Sequence, residues 1–432
     1  MKLSLVKSLV LAALVGFSVV LSALLWRGMW QNTTEFSLTV APTLPTAASP
    51  VQRQATAPYE VVVNDGESTR FYIAHLGDTA YAYWLRMLHG VQLGEGRTVH
   101  VSSPAVRSAS FDFGTRLSSP MLAQWVPALA ASTEASASNQ VRLFQMERGG
   151  TVWLDVMLDT GWWQATTDLS SRQFEQLIHA AASGPAWTSV VGSGPAQGQL
   201  LPVNGLTMAQ MDWKLATPSV MPLLRSFFVN PLALTRIREN SHMLIWTDGS
   251  RVVWWDSQLG TLTYQDPTTT LNAVTPQPTL PIVLNFVRNH GGSASGVVAF
   301  HQADATQYSD VLDFQLQVYA GGYPVFDPLG HYDIALQSNR VTDYRRPFSQ
   351  LSAQVKQTSV HTLDANRVLK KIQALMPQTS LSQLTIQLGY YVLPLGNGLV
   401  RLNPGIRVDA SGVPLFMMDA VTGKMIKGWG LQ

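Results

Sequence analysis

The sequence contains no cysteine and few charged residues, and both shortages restrict what the protein can do. Without cysteine, the 432-residue chain cannot form disulfides, thiolate metal sites, iron–sulfur clusters or a cysteine nucleophile. Charged residues make up 13% of the chain, against roughly 25% in an average soluble protein. With 29 Lys and Arg against 27 Asp and Glu, the net charge is only +2. No global positive field therefore favours nucleic acid as a partner.

A long uncharged run near the N-terminus predicts a transmembrane helix. Residues 8–26 carry no charge, and at a rise of about 1.5 Å per residue they form a helix about 28 Å long, which crosses a bilayer. Lys2 and Lys7 precede the run, and Arg27 alone follows it closely. By the positive-inside rule, residues 1–7 are a cytoplasmic stub and the chain after the span is extracellular. Because no second run of this length occurs, we expect a single-pass protein of the cell membrane.

A cleaved signal peptide is the competing interpretation of the same run. Signal peptides usually have an apolar region of about 7 to 15 residues followed by a small-x-small cleavage site. The candidate site at Ala23 has Leu21 at the minus-three position. The retained span is therefore the favoured interpretation.

Small residues form two ridges on the predicted span. Ser8, Ala12 and Gly16 recur at every fourth position, and Ser18 and Ser22 form a second ridge on another side. Such small-xxx-small ridges let two helices approach closely in lipid. We therefore expect these five residues to contact a partner helix in the membrane.

The rest of the chain is predicted to be an α+β protein of antiparallel sheets with packed helices. Residues 27–57 are rich in Thr, Ala and Pro and are typical of an extended linker. Helical spacing and short alternating strands then recur to the C-terminus. We predict three α+β domains in this part, over 58–205, 206–345 and 346–432.

Five local patterns predict particular helices and strands. Residues 150–164 alternate apolar and polar side chains and predict one half-buried strand. Residues 231–239 are predicted to be helical. Helices are also predicted over 170–182 and 364–375, and the tight turns within 243–266 predict three neighbouring antiparallel strands.

No catalytic or metal-binding motif is present. The nine histidines lie more than five residues apart, and no HExxH motif occurs. Asp155 and Asp159 could form a carboxylate pair, but the alternation places both on the solvent face of their strand, which favours a solvated surface over a glycosidase dyad. We expect no enzymatic activity, no cofactor and no metal.

Two pairs of adjacent tryptophans are candidates for contact with a partner protein. Trp162 and Trp163, and Trp254 and Trp255, follow one another in predicted strands, so each pair points to opposite faces of its sheet. One ring of each pair would then lie outside the core of its own domain, where it could pack against a partner protein. The alternative is that this ring packs on a neighbouring domain of the same chain.

An ordered set of short motifs runs along the chain. The membrane run is followed by FFVNP at 227–231 with Arg236 and Glu239, by WTDGSR at 246–251 with Tyr264 and Pro267, by GGYPVF at 321–326 and by YRRP at 344–347. Single motifs are weak, but their order over nearly the whole chain is fairly specific, and it resembles the YycH family. Trp246 departs from the Tyr usual in that family's second motif. The last segment, with its turn at 419–424, also looks like a PepSY module.

The resemblance implies a regulator and not an enzyme. Members of the family are membrane-anchored accessory proteins of the WalK (YycG) sensor histidine kinase in Gram-positive bacteria, where that kinase controls cell-wall metabolism. They act with a sister protein, YycI, through transmembrane helices. The alternative function is an anchored module that binds or hydrolyses cell-wall polymers, with exposed tryptophans and carboxylates as a sugar platform.

Overall fold

The described part of the chain is built from antiparallel sheets with few helices. The computed structural model describes residue 18 and residues 54–66, 70–131, 138–190, 200–228, 230, 233–267, 279–292, 298–302, 311–326 and 328–428. These residues confirm the prediction of antiparallel sheets with packed helices. The described residues from 54 to 428 belong to one compact unit.

The helices and strands follow one another along the chain in three groups. The first group is β1 (Glu60–Asn64), β2 (Arg70–His75), α1 (Thr79–Gly90), β3 (Leu93–Val99), β4 (Arg107–Leu117), α2 (Ser119–Leu122), a 3-10 helix (Pro127–Ala131), β5 (Ser138–Gln145), β6 (Val152–Leu158), β7 (Gly161–Thr167), α3 (Ser171–Ala182), β8 (Ala186–Ser189) and β9 (Leu200–Pro202). The second group is β10 (Thr207–Ala216), α4 (Val220–Phe227), β11 (Thr235–Arg238), β12 (Met243–Thr247), β13 (Val252–Asp256), β14 (Thr261–Gln265), α5 (Thr279–Asn289), β15 (Val298–Gln302), β16 (Val311–Ala320), β17 (Tyr323–Pro324), β18 (His331–Gln337) and β19 (Arg340–Pro347). The third group is β20 (Gln350–His361), α6 (Ala365–Leu375), a 3-10 helix (Leu381–Gln383), β21 (Leu384–Gly396), β22 (Leu399–Ala410), β23 (Val413–Asp419) and β24 (Met425–Gly428).

These strands form three sheets, which we name by their position in the chain. The N-terminal sheet has the order β3-β7-β6-β5-β4-β1-β2-β8-β9. The central sheet has the order β11-β12-β13-β14-β19-β18-β16-β15, with β17 beside β16. The C-terminal sheet has the order β20-β10-β22-β23-β24, with β21 beside β22. Strand β10, which lies in the predicted segment 206–345, thus pairs with strands of the predicted segment 346–432.

The helices begin and end where their side chains indicate. Ser170 caps α3 with a reciprocal capping box, in which its side chain and that of Gln173 each bond the other's backbone N–H. Asp364 caps α6 by accepting from the backbone N–H of Arg367 at 2.9 Å. In α1, Tyr81, Trp84 and Leu88 are buried, as their helical spacing predicts. Helices α1 and α3 pack against β1 and β2.

Two local predictions are wrong. The run 150–164 forms a hairpin of β6 and β7 and not a single strand, because the Asp159-Thr160-Gly161 turn reverses the chain and pairs the two halves. The run 231–239, predicted to be helical, contains β11. Here pairing with β12 outweighs a weak local helical pattern.

The folded part begins before residue 58. Ala55, Thr56 and Ala57, at the end of the predicted linker 27–57, are buried. The indole N–H of Trp125 donates to the Thr56 hydroxyl at 3.3 Å. These three residues therefore pack with the N-terminal sheet and do not belong to an extended segment.

Candidate functional site

A row of polar side chains crosses one end of the N-terminal sheet. His75 and Asp112 each pair directly with Glu60, and Gln140 pairs with Asp112. Because paired residues of antiparallel strands point to the same face, all four lie on one side of the sheet. Helices α1 and α3 cover the opposite side, where the Trp84 ring of α1 contacts Phe111 at 6.2 Å between centroids. The polar row therefore lies on the face turned away from α1 and α3.

The three sheets meet beside the polar row. Strand β15 of the central sheet approaches β4 of the N-terminal sheet, and β21 of the C-terminal sheet approaches β17 and β9. The backbone N–H of Phe326 donates to the carbonyl of Tyr390 at 2.7 Å, which joins the central and C-terminal sheets. Between the sheets lies a partly open cavity of about 60 Å³. Its lining comes from all three sheets and includes Glu60, His75, Trp187, Tyr319, Tyr323 and Leu388.

A glycine turn brings the central sheet against the N-terminal sheet at the cavity. Gly322 has a φ of +83°, and a Cβ on it would lie 2.8 Å from the His75 Cβ and 2.9 Å from the Leu76 carbonyl oxygen. Both the backbone conformation and the close approach require glycine. The next residue, Tyr323, places its ring 4.2 Å from the His75 ring, measured between centroids. The GGYPVF motif thus forms one wall of the cavity.

The ionisable groups at the cavity are held in their uncharged forms. Burial, helped by the charge of Asp112, raises the pKa of Glu60 to about 8. Burial lowers the pKa of His75 to about 3. At pH 7 the Glu60 carboxyl is therefore mostly protonated and the His75 ring is neutral. The cavity consequently presents hydrogen-bonding groups and aromatic rings with little charge.

Two buried polar atoms at the cavity have no hydrogen-bond partner among the residues that the structure describes. They are Nε2 of His75 and Nε1 of Trp187. The Tyr59 hydroxyl lies within hydrogen-bonding reach of Glu60 and Asp112, whose charges raise its pKa after the larger effect of burial. Buried polar groups are normally satisfied, so two unpaired atoms around one cavity are unusual.

A second polar cluster lies further along the same face of the N-terminal sheet. The carboxylate of Asp155 accepts from Arg142 Nη2 at 2.5 Å and from the Ser102 hydroxyl at 2.8 Å. Asp155 is 0% exposed. The prediction of a solvent-facing Asp155 is therefore wrong, because the segment around Ser102 covers this face and Arg142 supplies the opposite charge. Burial raises the pKa of Asp155, and Arg142 opposes that shift.

Asp159 lies in a different environment from Asp155. It is part of the turn of the β6–β7 hairpin and is exposed, as predicted. Its partner is Arg116, which is exposed too. The two aspartates therefore do not form a carboxylate pair.

The two tryptophans of the first predicted pair point to opposite faces. Trp163 is 5% exposed and belongs to the hydrophobic core. Its ring lies against Gly96, where a Cβ would come within 2.0 Å of it. Trp162 lies on the other face, with the Arg142 guanidinium 5.6 Å from its ring centroid. Only Trp162 of this pair is placed to meet a partner.

The second pair follows the same alternation. Trp255 packs against the ring of Phe348 at 5.1 Å between centroids and contacts the core. Trp254 faces the other side of the central sheet, paired with Ile245 and Thr263. A role in partner contact stays a prediction for Trp162 and Trp254.

The predicted membrane residues lie almost entirely outside the described residues. Ser8, Ala12, Gly16 and Ser22 are among those not described, and Ser18 is helical and exposed. Within the described part of the chain, no helix is long and apolar enough to cross a bilayer. The span 8–26 remains a prediction.

The described residues offer no arrangement for a metal ion. No three His, Asp or Glu side chains among them are grouped closely enough to coordinate one. His331 is near a carboxylate, Asp333, at 3.4 Å. This pair alone is not a metal site.

The other motifs of the sequence mainly stabilise the central sheet. Phe227 of FFVNP stacks on Tyr264 at 5.0 Å between centroids. Asp248 of WTDGSR accepts from the backbone N–H of Arg251 at 2.8 Å and closes a turn. Arg346 of YRRP is 1% exposed and donates to the carbonyl of His290, just beyond the C-terminus of α5, at 2.8 Å. Among these motifs, GGYPVF is the one that reaches the cavity.

The protein is thus an α+β protein of three antiparallel sheets that meet around a small polar cavity. Its fold is similar to that of YycH from Bacillus subtilis, whose crystal structure superimposes with a TM-score of 0.60 at 14% sequence identity, over 86% of this chain and 98% of that one. The resemblance to YycH drawn from the ordered motifs is confirmed at the level of the fold. An uncharacterized protein from Eubacterium rectale ATCC 33656 aligns with 53% of this chain and 90% of its own at 11% identity and a TM-score of 0.35. That score is too low to support an argument. No family model and no curated protein sequence matches the chain.

Sequence reasoning did not identify the cavity residues. One signal was present, because Glu60 interrupts the start of an apolar strand, EVVVN. His75 closes the paired strand at the same level. The pairing of β1 with β2 brings these two residues together. The central and C-terminal sheets then pack against the polar row and enclose the cavity.

Proposed function

We propose that this protein is a membrane-anchored, extracytoplasmic regulator of a WalK-type sensor histidine kinase, and not an enzyme. The observation that carries the proposal is the YycH-like fold over 86% of the chain. The ordered sequence motifs support it independently, since they were recognised without the fold.

The site of regulation is proposed to be the membrane span. The three sheets lie outside the cytoplasm in this proposal, so a signal reaches the kinase's cytoplasmic part through contacts between helices. Ser8, Ala12 and Gly16 form the surface best suited to close approach, and Ser18 and Ser22 add polar contacts. A YycI-like protein is the proposed second partner in this helix assembly.

The experiment is a deletion of the whole gene in the host, with a reporter of kinase-dependent transcription. A change in reporter output, reversed by the full chain supplied from a plasmid, supports the proposal. An unchanged output contradicts it. A second strain supplies the extracellular part released from the membrane. We expect this released part to fail to restore the reporter, whereas restoration would move the regulatory contact to the outer sheets.

A further inference from the structure

The cavity between the three sheets has the chemistry of a binding site. The indole N–H of Trp187 is buried without a partner within the described chain, and this residue is only 2% exposed. An unsatisfied buried polar group is destabilising by an amount comparable to a lost hydrogen bond. An occupant that accepts from Trp187 would remove this cost.

The charge state of the lining selects against an ion. Because of their burial, Glu60 is mostly protonated and His75 is neutral at pH 7. Asp112 lies beside Glu60 and repels an anion. A cation would require Glu60 to ionise beside Asp112. A neutral occupant requires no change, because a carboxylic acid and an indole both donate hydrogen bonds.

The shape of the cavity favours a small unit that has both hydroxyl groups and C–H surfaces. Tyr319 and Tyr323 contribute aromatic rings, and Ile73 and Leu388 contribute apolar side chains. Aromatic faces pack against C–H groups. A cavity of about 60 Å³, at roughly 10–15 Å³ for each water, has room for about five non-hydrogen atoms. This is the size of a vicinal diol with its neighbouring carbons.

We propose that this cavity binds the hydroxyl edge of a neutral polyol or sugar. The Trp187 indole donates to one hydroxyl, and the Glu60 carboxyl and His75 Nε2 bond its neighbour. The aromatic walls pack against the carbon skeleton. The proposal does not depend on the regulatory function, since it rests only on the described cavity.

The test is ligand-observed NMR on the full chain, kept in a detergent without a sugar head group. Saturation transfer is measured to glycerol, to methyl glucoside and, as comparisons, to methylammonium and inorganic phosphate. We expect transfer to at least one of the first two and none to the ions. Transfer to glycerol alone would indicate that the natural ligand is an acyclic polyol. Transfer to methyl glucoside alone would indicate that it is a sugar ring.

Two variants connect the binding to the named atoms. Trp187→Phe keeps a ring but removes the N–H, and should weaken binding at least about fivefold. Its matched control is Trp213→Phe, since Trp213 also has a buried Nε1 without a partner in the described residues but does not line the cavity. This control should bind like the wild type.

Several outcomes would overturn the proposal. These are an absence of transfer to both neutral ligands, transfer to methylammonium that Glu60→Gln abolishes, and equal binding by Trp187→Phe and Trp213→Phe. If Trp187→Phe does not fold, His75→Phe replaces it, because it removes Nε2 from the proposed binding groups, and the same loss is expected. A crystal structure with only ordered water in the cavity after a polyol soak would also contradict the proposal.

Discussion

The ring of Tyr323 packs on the ring of His75 at 4.2 Å between centroids, and this contact joins the central sheet to the N-terminal sheet. The contact depends on the glycine before Tyr323, because the backbone of Gly322 lies directly against His75 and Leu76. A single turn of the GGYPVF motif thus connects a sequence resemblance, the packing of two sheets and the wall of a cavity.

Gly322→Ala should destabilise the protein by about 2 kcal/mol or more, through the positive φ and the clash with His75 and Leu76 together. Gly412→Ala is the matched control, because Gly412 has a similar φ of +78° but nothing within 4 Å of an added Cβ. The control should lose only about 1 kcal/mol. The measurement is urea unfolding of the full chain, and equal losses would show that the sheet contact is not tightly packed.

Asp155→Asn should reduce the free energy of unfolding by about 3 kcal/mol, because it leaves Arg142 largely buried without its opposite charge. Asp159→Asn breaks the exposed pair with Arg116 and should change stability by less than about 1 kcal/mol. Unfolding curves of the two variants at pH 7 test the difference. A loss of similar size in both would mean that the Asp155 cluster is solvated.

Glu60→Gln should make the protein progressively more stable than the wild type as the pH rises toward 8. The pKa of Glu60 is about 8 in the folded protein and about 4.5 when unfolded. The folded state therefore holds an extra proton between these values, and the wild type loses stability as the pH rises through them. The other ionisable groups that face Glu60 are Tyr59, His75, Asp112, Tyr319 and Tyr323.

The measurement for Glu60 is the free energy of unfolding of both proteins at several pH values between about 5 and 8. The pKa of His75 is about 3 in the folded protein and 6.5 when unfolded, so this residue also makes stability depend on pH below about 7. Both proteins contain His75, so its contribution cancels when the two curves are compared. Parallel curves for wild type and variant would contradict the raised pKa of Glu60.

Gly16→Leu should weaken the association of the membrane span with the kinase and with the YycI-like protein. A larger side chain on the ridge of Ser8, Ala12 and Gly16 keeps the partner backbone away and removes dispersion contacts. Val20→Leu preserves an apolar span and should be tolerated. Crosslinking or a two-hybrid signal in the membrane measures the association, and equal signals from both variants would reject the ridge.

Neither EDTA nor a reductant should change the melting temperature of the protein. The sequence has no cysteine, so a reductant has no disulfide to cleave. The described residues contain no group of three metal-binding side chains. A fall of several degrees in EDTA would reveal a metal held by residues outside that part of the chain.

The features that sequence patterns predict correctly are local. The capping box of Ser170 and Gln173, the cap at Asp364 and the apolar spacing in α1 all act within a few residues. The helices predicted over 170–182 and 364–375 form there. The tight turns within 243–265 likewise determined three neighbouring strands. Side-chain alternation also separated Trp162 from Trp163, because the two-residue period of a strand does not depend on distant contacts.

Long-range packing determines which polar residues are buried and which residues contact one another. Asp155 alternates like a surface residue, but the covering segment at Ser102 and the charge of Arg142 on the neighbouring strand make it an interior one. Glu60, Tyr323 and Leu388 line one cavity although no periodic pattern relates such distant positions. Their meeting depends on which sheet edges approach one another, and that is a property of long-range packing, which local propensity and spacing do not encode.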